Sequence, residues 1–324
     1  MSTVPSVVMI LGPTASGKTD LAIRLAEQFD GEIVNADSMQ IYRGMDIGTA
    51  KPSADEQRRV LHHLIDIVAP DVNFSAADFQ REAAKAIDAI ASRGKRVFIV
   101  GGTGLYLKAL VQGLVDSPHG DEAIRNQLKE QALSIGNVGL LRLLSEYDPV
   151  TAARLHPNDQ VRIIRALEVY LQTGRPISSF REAHGFGGSM YTCLKIGSRV
   201  ERDELYRRID RRVDEMLSSG FEAEVRALLA RGFGPDTKAM RAIGYKEMSA
   251  CIEGVYPPVE AVRLIKRNTR HYAKRQLTWF ASDPEINWLE YPENFATICN
   301  IVIDFFAKGE AHAKSAIQYS GSVS

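Results

Sequence analysis

The chain has 324 residues, 45% of them hydrophobic, with 40 Lys and Arg balanced by 40 Asp and Glu. That length supports one sizeable core and a second, smaller domain, and the even charge balance withholds any whole-chain signal for a polyanionic partner. No apolar run approaches the roughly 20 residues that span a bilayer. Cys193, Cys251 and Cys299 stand too far apart for a zinc site or a disulfide framework, so the composition reads as a cytoplasmic protein.

In chain order, residues 6–11 form a β-branched apolar run that reads as a buried strand. It is followed at once by Gly12-Pro13-Thr14-Ala15-Ser16-Gly17-Lys18-Thr19 and then by an amphipathic helical pattern. Glycine, four residues, then Gly-Lys-Thr between a strand and a helix is the phosphate-loop arrangement. Its backbone N–H groups and helix N-terminus attract phosphate oxygens, Lys18 adds a charge, and the Thr19 hydroxyl suits Mg²⁺. A second strand, 32–36, runs into Asp37-Ser38. A third, 96–100, runs into Gly101-Gly102-Thr103-Gly104. Strands alternating with helices predict a parallel α/β sheet of the P-loop NTPase type flanked by helices, with the three strand ends converging on one site.

Asp37 has two readings. A carboxylate just after a strand can serve as a base facing the phosphate loop, or as the N-cap of the next turn; on the residues alone the two stand level. The adjacent His62 and His63 cannot share one helix face as a metal pair would, and for them and Lys51 the structural role is the better reading. The strand 96–100 ends without the acid that nucleotide-hydrolysing relatives of the loop use for Mg²⁺, and its Gly-Gly-Thr turn suits a second oxyanion contact or simply a tight turn.

From residue 116 the pattern changes. Ser117-Pro118-His119-Gly120 breaks the chain and Leu-rich helical stretches follow to about Gln172. The predicted organisation is a catalytic core of residues 1–115 and 192–310, an inserted helical domain of residues 116–191, and a frayed tail of residues 311–324. A Gly-rich turn at 185–188 leads to a strand at 192–196 that returns to the main sheet, and two long helical patterns follow at 202–231 and 259–280. The second carries Arg263, Lys266, Arg267, Arg270, His271, Lys274 and Arg275 with no acid among residues 261–282, a local basic stripe suited to nucleic acid. Tyr272, Trp279 and Phe280 read as core by composition.

The motifs Gly12 to Thr19, Asp37-Ser38-Met39-Gln40-Ile41-Tyr42, Gly48-Thr49-Ala50-Lys51-Pro52, His62-His63-Leu64-Ile65-Asp66 and Gly101-Gly102-Thr103-Gly104-Leu105-Tyr106 together resemble the tRNA dimethylallyltransferase family. So do Arg162-Ile163-Ile164-Arg165-Ala166-Leu167-Glu168, Ala242-Ile243-Gly244-Tyr245-Lys246-Glu247 and the stretch Tyr272 to Phe280. With no zinc-finger extension, the resemblance is to the bacterial type. It implies transfer of a dimethylallyl group from dimethylallyl diphosphate to N6 of the adenine 3′ to the anticodon, with Asp37 as base and with Lys18, Thr103 and Mg²⁺ on Thr19 stabilising the leaving pyrophosphate. It also implies contact with the anticodon stem-loop through Asp37, Ser38, Met39, Gln40, Thr103, Arg125, Gln160, Val161, Arg162, Ile163, Ile164, Arg241, Gly244 and Lys246; a monomer is expected. On residue type, Arg162 and Arg165 are the better RNA candidates in the inserted domain, and Ile163 and Ile164 suit helix core. Three other readings keep the phosphate loop: a small-molecule or nucleotide kinase, an ATP-gated RNA-binding protein, and a prenyltransferase acting on free AMP or ADP.

Overall fold

The structure, a computed structural model, describes residues 4–115, 117–184 and 190–320. Residue 116, the turn expected at 185–188 and residues 321–324 lie outside the described residues. The chain divides into two compact units, Met1–Val111 with Ser189–Ser324, and Gln112–Gly188.

The first unit is built on six parallel strands: β1 (Ser6–Leu11), β2 (Gly31–Asn35), β3 (His62–His63), β4 (Arg96–Gly101), β5 (Thr192–Arg199) and β6 (Asn287–Glu290), in the order β3-β2-β4-β1-β5-β6. The central strand β1 is apolar from Val7 to Leu11 because both its faces are covered. Val7, Met9 and Leu11 join Val34, Val97, Ile99 and Phe79 in one core, while Val8 and Ile10 join Ile33, Phe98 and Val100 in the other. Against the second face pack Leu21, Ile23 and Leu25 of α1 (Lys18–Gln28), together with Ile298 and Val302. Each such aliphatic side chain, removed fully from water, contributes about 1.5–3 kcal/mol. With every strand parallel, all six carboxyl ends open on one edge of the sheet, and β2, β4 and β1, adjacent in that order, bring residues 37, 101–103 and 12–19 together.

Two strands escaped the sequence reading. β3 is two residues long, and β6 is a four-residue edge strand whose middle alone is half-buried; runs so short carry no period-2 signal. The helical pattern at 202–231 is two helices, α9 (Arg202–Ser218) and α10 (Phe221–Ala230), because Gly220 between them takes φ 95°, a left-handed turn that ends a helix. The remaining helices around the sheet are α2 (Ala54–Arg59), α3 (Ala76–Ser92), α4 (Gly104–Gln112), α11 (Tyr245–Ile252), α12 (Pro258–Phe280) and α13 (Phe295–Ser320). The backbone of α13 is helical to Ser320, where a frayed tail from 311 was expected; the stretch has neither Gly nor Pro between 310 and 320 to stop it. Among the described residues no helix is long and apolar enough to cross a membrane.

The second unit is helical: α5 (Glu122–Tyr147), broken at Gly136 (φ 71°), α6 (Pro149–Ala152), α7 (Gln160–Thr173) and α8 (Ile177–His184). Leu128, Leu140, Leu144, Ile163 and Leu167 form its core. A fully buried carboxylate, Glu168, sits beside it and is satisfied by Arg125 at 2.8 Å, Arg165 at 2.7 Å and the backbone N–H of Asp121 at 2.6 Å. Burying a charge without such partners would cost several kcal/mol.

Candidate active site

The edge formed by the strand ends holds a cavity of about 360 Å³, whose lining includes Thr14, Lys18 and Thr19 from the phosphate loop and Asn35, Asp37 and Ser38 from the end of β2. Gly101 closes it from β4, and α9, α11 and α12 supply the far wall. The loop reaches this shape through backbone positions that disfavour side chains: Gly17 has φ 86°, and Ala15 is held at φ 64°, a region few non-glycine residues adopt.

Lys18 donates to the Pro13 carbonyl at 3.1 Å. Enclosure in the cavity, with the Arg212 guanidinium next in effect, pulls its ammonium down to about 8, and Asp37 offsets part of the fall. Burial lowers Arg212 as well. Lys18 and Arg212 therefore share the cavity with the carboxylate of Asp37, and no ion pair among the described residues joins either of them to it.

Asp37 answers the choice left open above by doing one task visibly: its Oδ1 accepts from the backbone N–H groups of Met39 at 2.8 Å and Gln40 at 3.4 Å, an Asx turn. Oδ2 has no hydrogen-bond partner among the described residues, and the side chain lines the cavity. Thr103 ties the turn after β4 to the same segment, accepting from the Ser38 N–H at 3.1 Å. Gln40 is 7% exposed, and its amide donates to the carbonyls of Thr49 and Ala50, both at 3.1 Å.

Several contributors were missed. Gln276 accepts from the Thr14 N–H at 2.9 Å and donates to the Gly102 carbonyl at 2.9 Å. Thr14 was assigned to the diphosphate, yet its amide is engaged by this side chain. Tyr272 lines the cavity instead of the core; burial, then the nearby Asp37, pushes its phenol up to about 12. Phe280 is core at 4% exposure, as read, while Trp279 is 40% exposed. Ile209, Val213, Met216, Phe221 and Ile265 give the cavity an apolar wall. Glu224 of α10 accepts from the backbone N–H groups of Asp46, Ile47 and Gly48 at 2.7–3.1 Å and from the Tyr245 hydroxyl at 2.6 Å. This carboxylate shapes the segment that presents Gly48 and Thr49 to the cavity.

The other sequence candidates divide. Ser38, Met39, Arg241 and Gly244 line the cavity, whereas Lys246 is exposed beside Glu247. Lys51 is buried between Asp46 and Asp66 at 2.5 Å from each, and His63 contacts Glu32 at 2.6 Å; both are structural, as read. In the helical unit Val161 is 80% exposed and Arg162 pairs with Asp159 at its own helix start. Ile163 and Ile164 are 0% and 6% exposed and cannot offer side chains to RNA. Arg165, preferred for RNA, is committed to Glu168, Ser117 and the Pro118 carbonyl, and Arg125 to Glu168.

The basic stripe on α12 needs the largest correction. Arg270 makes a two-pronged pair with Asp210 at 2.9 and 3.0 Å, Lys266 pairs with Asp214 at 2.6 Å, and Arg263 with Glu260 at 2.6 Å. The acids missing from the stripe come chiefly from α9, more than fifty residues earlier in the chain. Lys274 and His271 have no ion-pair partner among the described residues, and Arg275 lines the cavity, its guanidinium 5.7 Å from the Tyr272 ring centre.

Residues 40–283 match the family described as IPP transferase. The chain is 69% identical over 301 residues to tRNA dimethylallyltransferase 2 of Geotalea uraniireducens, covering 93% of this chain and 97% of that one. It is 59% identical over 300 residues to tRNA dimethylallyltransferase of Geobacter sulfurreducens, covering 93% and 96%. Among solved structures it resembles the full-length tRNA isopentenylpyrophosphate transferase of Bacillus halodurans, with a TM-score of 0.71, 41% identity and coverage of 95% and 99%. A eukaryotic dimethylallyltransferase acting on tRNA matches with a TM-score of 0.72, 29% identity and coverage of 88% and 74%. With its phosphate loop and Asp37 on one cavity and matches of this extent, the chain belongs to the IPP transferase family.

Proposed function

We propose that this protein transfers the dimethylallyl group of dimethylallyl diphosphate to N6 of the adenine 3′-adjacent to the anticodon in tRNA, releasing pyrophosphate. The observation that carries this reading is the shared cavity, in which Lys18, Thr19 and Arg212 lie on the same opening as Asp37 and an apolar wall. A diphosphate with a five-carbon tail needs both cations and apolar surface. A kinase needs neither the apolar wall nor a second substrate as large as RNA, and membership of the family stands against it.

The adenine amine is a weak nucleophile, its lone pair delocalised into the ring. As N6 bonds to C1, the C1–O bond breaks, its electron pair leaves with pyrophosphate, and the N6 proton passes to Asp37 Oδ2 and on to solvent. Met39 and Gln40 N–H groups hold Oδ1 and so aim the other oxygen. Lys18, Arg212 and the loop amides other than those of Thr14 and Ser16, which are engaged by Gln276 and the Pro13 carbonyl, stabilise charge gathering on the leaving group more in the transition state than before it. The Thr19 hydroxyl is a hard oxygen donor on the same opening as Lys18 and fits Mg²⁺, which takes most of its ligands from phosphate and water; Mg²⁺ bound there supplies further charge neutralisation.

The base reaches a recessed carboxylate only if swung out of the anticodon loop. Ser38, Met39, Arg241, Gly244 and Lys246 in the first unit, with Gln160, Val161, Arg162 and Arg125 in the second, are the proposed tRNA contacts; Thr103 and Gln40 act there through the Ser38 and Thr49 backbones they hold. We read the unit of residues 112–188 as the tRNA-binding domain, the enzyme as a monomer and its compartment as the cytoplasm. The test is to incubate the protein with Mg²⁺, labelled dimethylallyl diphosphate and unmodified tRNA, with AMP in a parallel reaction, and to digest the RNA to nucleosides. Label on adenosine from tRNA is expected. Label only on AMP, or on no nucleoside, overturns the assignment.

A further inference from the structure

Two glycine-bearing turns face each other across the cavity edge, residues 12–19 after β1 and residues 101–104 after β4, and one side chain joins them. Gln276, 6% exposed on α12, accepts from the Thr14 N–H and donates to the Gly102 carbonyl, each at 2.9 Å. Both groups of its amide are thereby committed, to partners 262 and 174 residues away. A Cβ at Gly102 would lie 2.1 Å from the Gln276 Nε2 and 3.2 Å from the Gly12 carbonyl oxygen, so the turn must lack a side chain for this contact to exist. Tyr272, one helical turn earlier on α12, lines the cavity together with Gln276, and Thr103 accepts from the Ser38 N–H beside Asp37. Gln276 on α12 thus reaches the phosphate loop and the Gly-Gly-Thr turn, and Thr103 of that turn holds the backbone next to the proton acceptor.

We propose that Gln276 is a positioning residue for the diphosphate: a strut that sets the spacing between the phosphate loop and the Gly101–Thr103 turn, and that withdraws the Thr14 amide from phosphate binding so that the remaining loop donors and Lys18 define the site. The inference rests on the function proposed above. Neither Thr14 N–H nor Gly102 C=O can find an apolar substitute for the amide, and a carboxylate serves only one of them, because it accepts but cannot donate. The charged groups facing this point are Lys18, Arg212 and Asp37, with Arg275 beside Tyr272.

The experiment compares wild-type protein with Gln276→Leu, Gln276→Glu and Gly102→Ala, after thermal unfolding has confirmed that each folds. It measures inorganic pyrophosphate binding by calorimetry with Mg²⁺, and steady-state transfer as a function of pH, donor and tRNA. Loss of one committed amide predicts pyrophosphate binding and donor KM weakened about tenfold in Gln276→Leu, a factor matching one hydrogen bond, with tRNA KM within about twofold. Gln276→Glu brings a negative charge beside Lys18, so its alkaline limb should move to higher pH, a displacement that loss of packing alone would not produce. Gly102→Ala should mimic Gln276→Leu on the donor side. Unchanged pyrophosphate binding in Gln276→Leu, or an equal rise in both KM values, would overturn the strut. If wild-type protein transfers no label to tRNA, the proposed function fails, while the pyrophosphate titrations still decide the role of Gln276.

Discussion

The ionisation of Lys18 offers the sharpest test of the cavity. Its ammonium sits at about 8 in the ligand-free protein because enclosure disfavours the charge and Arg212 repels it, with Asp37 opposing both. A diphosphate binds the charged form, so binding requires the proton. With the midpoint at 8, about nine-tenths of the molecules carry that proton at pH 7 and slightly under one-tenth at pH 9, a fall of roughly tenfold. The kcat/KM for donor should follow it down, through KM. Stability should move the other way. A lysine depressed in the folded state holds fewer protons there than in the unfolded chain between its two midpoints, so the ligand-free fold gains stability as pH rises from 8 towards 10.5. Initial rates at subsaturating donor from pH 6.5 to 9.5, beside urea unfolding over the same range, measure both, with Lys18→Met as the reference from which other titrations are subtracted. Arg212→Met removes the repulsion and should raise the midpoint; Asp37→Asn removes the attraction and should lower it. A wild-type profile flat between pH 7 and 9, or a Lys18→Met profile that keeps the inflection, would refute the assignment.

Asp37→Asn should retain pyrophosphate binding while kcat drops at least about a hundredfold, the lower range for a positioned base; single-turnover transfer at saturating donor measures it, and an unchanged rate would remove Asp37 from the chemistry. Glu224→Gln keeps the oxygen that serves Gly48 and Tyr245 but offers an NH₂ to the Asp46 and Ile47 amides. A loss of roughly 2–4 kcal/mol is expected, from about 1.5–3 per bond to a charged group without full additivity, together with faster amide exchange at 46–48; urea midpoints and exchange spectra within error of wild type would count against it. On α12, Lys274→Ala should lower the slope of log affinity for tRNA against log salt by about one, while Arg270→Ala, which breaks a pair, should cost stability of about 1 kcal/mol or less and leave that slope alone. The reverse pattern would restore the basic-stripe reading.

What could be read from the sequence follows how local its physics is. The phosphate loop is legible because eight consecutive residues encode its backbone path, and β1 and β4 are legible because buried parallel strands are near-continuous apolar runs, while β2 and β5 were read from shorter apolar stretches before a turn or after one. Asp37 was legible as a candidate, and its capping alternative was real, since one oxygen does cap. Gln276, Glu224 and Arg212 were not legible. Each acts across more than 170 residues of chain on partners that are backbone amides, carbonyls or a single hydroxyl, and such partners leave no trace in composition. The stripe on α12 failed for the same reason in reverse. Its missing acids, Asp210 and Asp214, were visible in the sequence of α9, but only packing of the two helices made them partners.

The same long-range contacts explain how the cavity remains ready for a diphosphate. Lys18 and Arg212 bring two positive charges to a space that also holds a carboxylate, and the simplest outcome for such a set is mutual pairing, which would leave nothing for a ligand. Two features oppose that collapse. Backbone donors at Met39 and Gln40 already satisfy Asp37 Oδ1, so the aspartate does not need a cation. Lys18 is held by the Pro13 carbonyl and Arg212 reaches Thr14 Oγ1 at 3.4 Å, so each cation is anchored to the phosphate loop and not to the acid. The charges are kept apart by hydrogen bonds to neutral groups, and the depressed Lys18 is the measurable cost of doing so. A ligand carrying several negative charges relieves that cost when it enters, and a neutral one does not. The electrostatics of the cavity thus favour a polyanionic ligand over a neutral one, in keeping with the diphosphate donor proposed above.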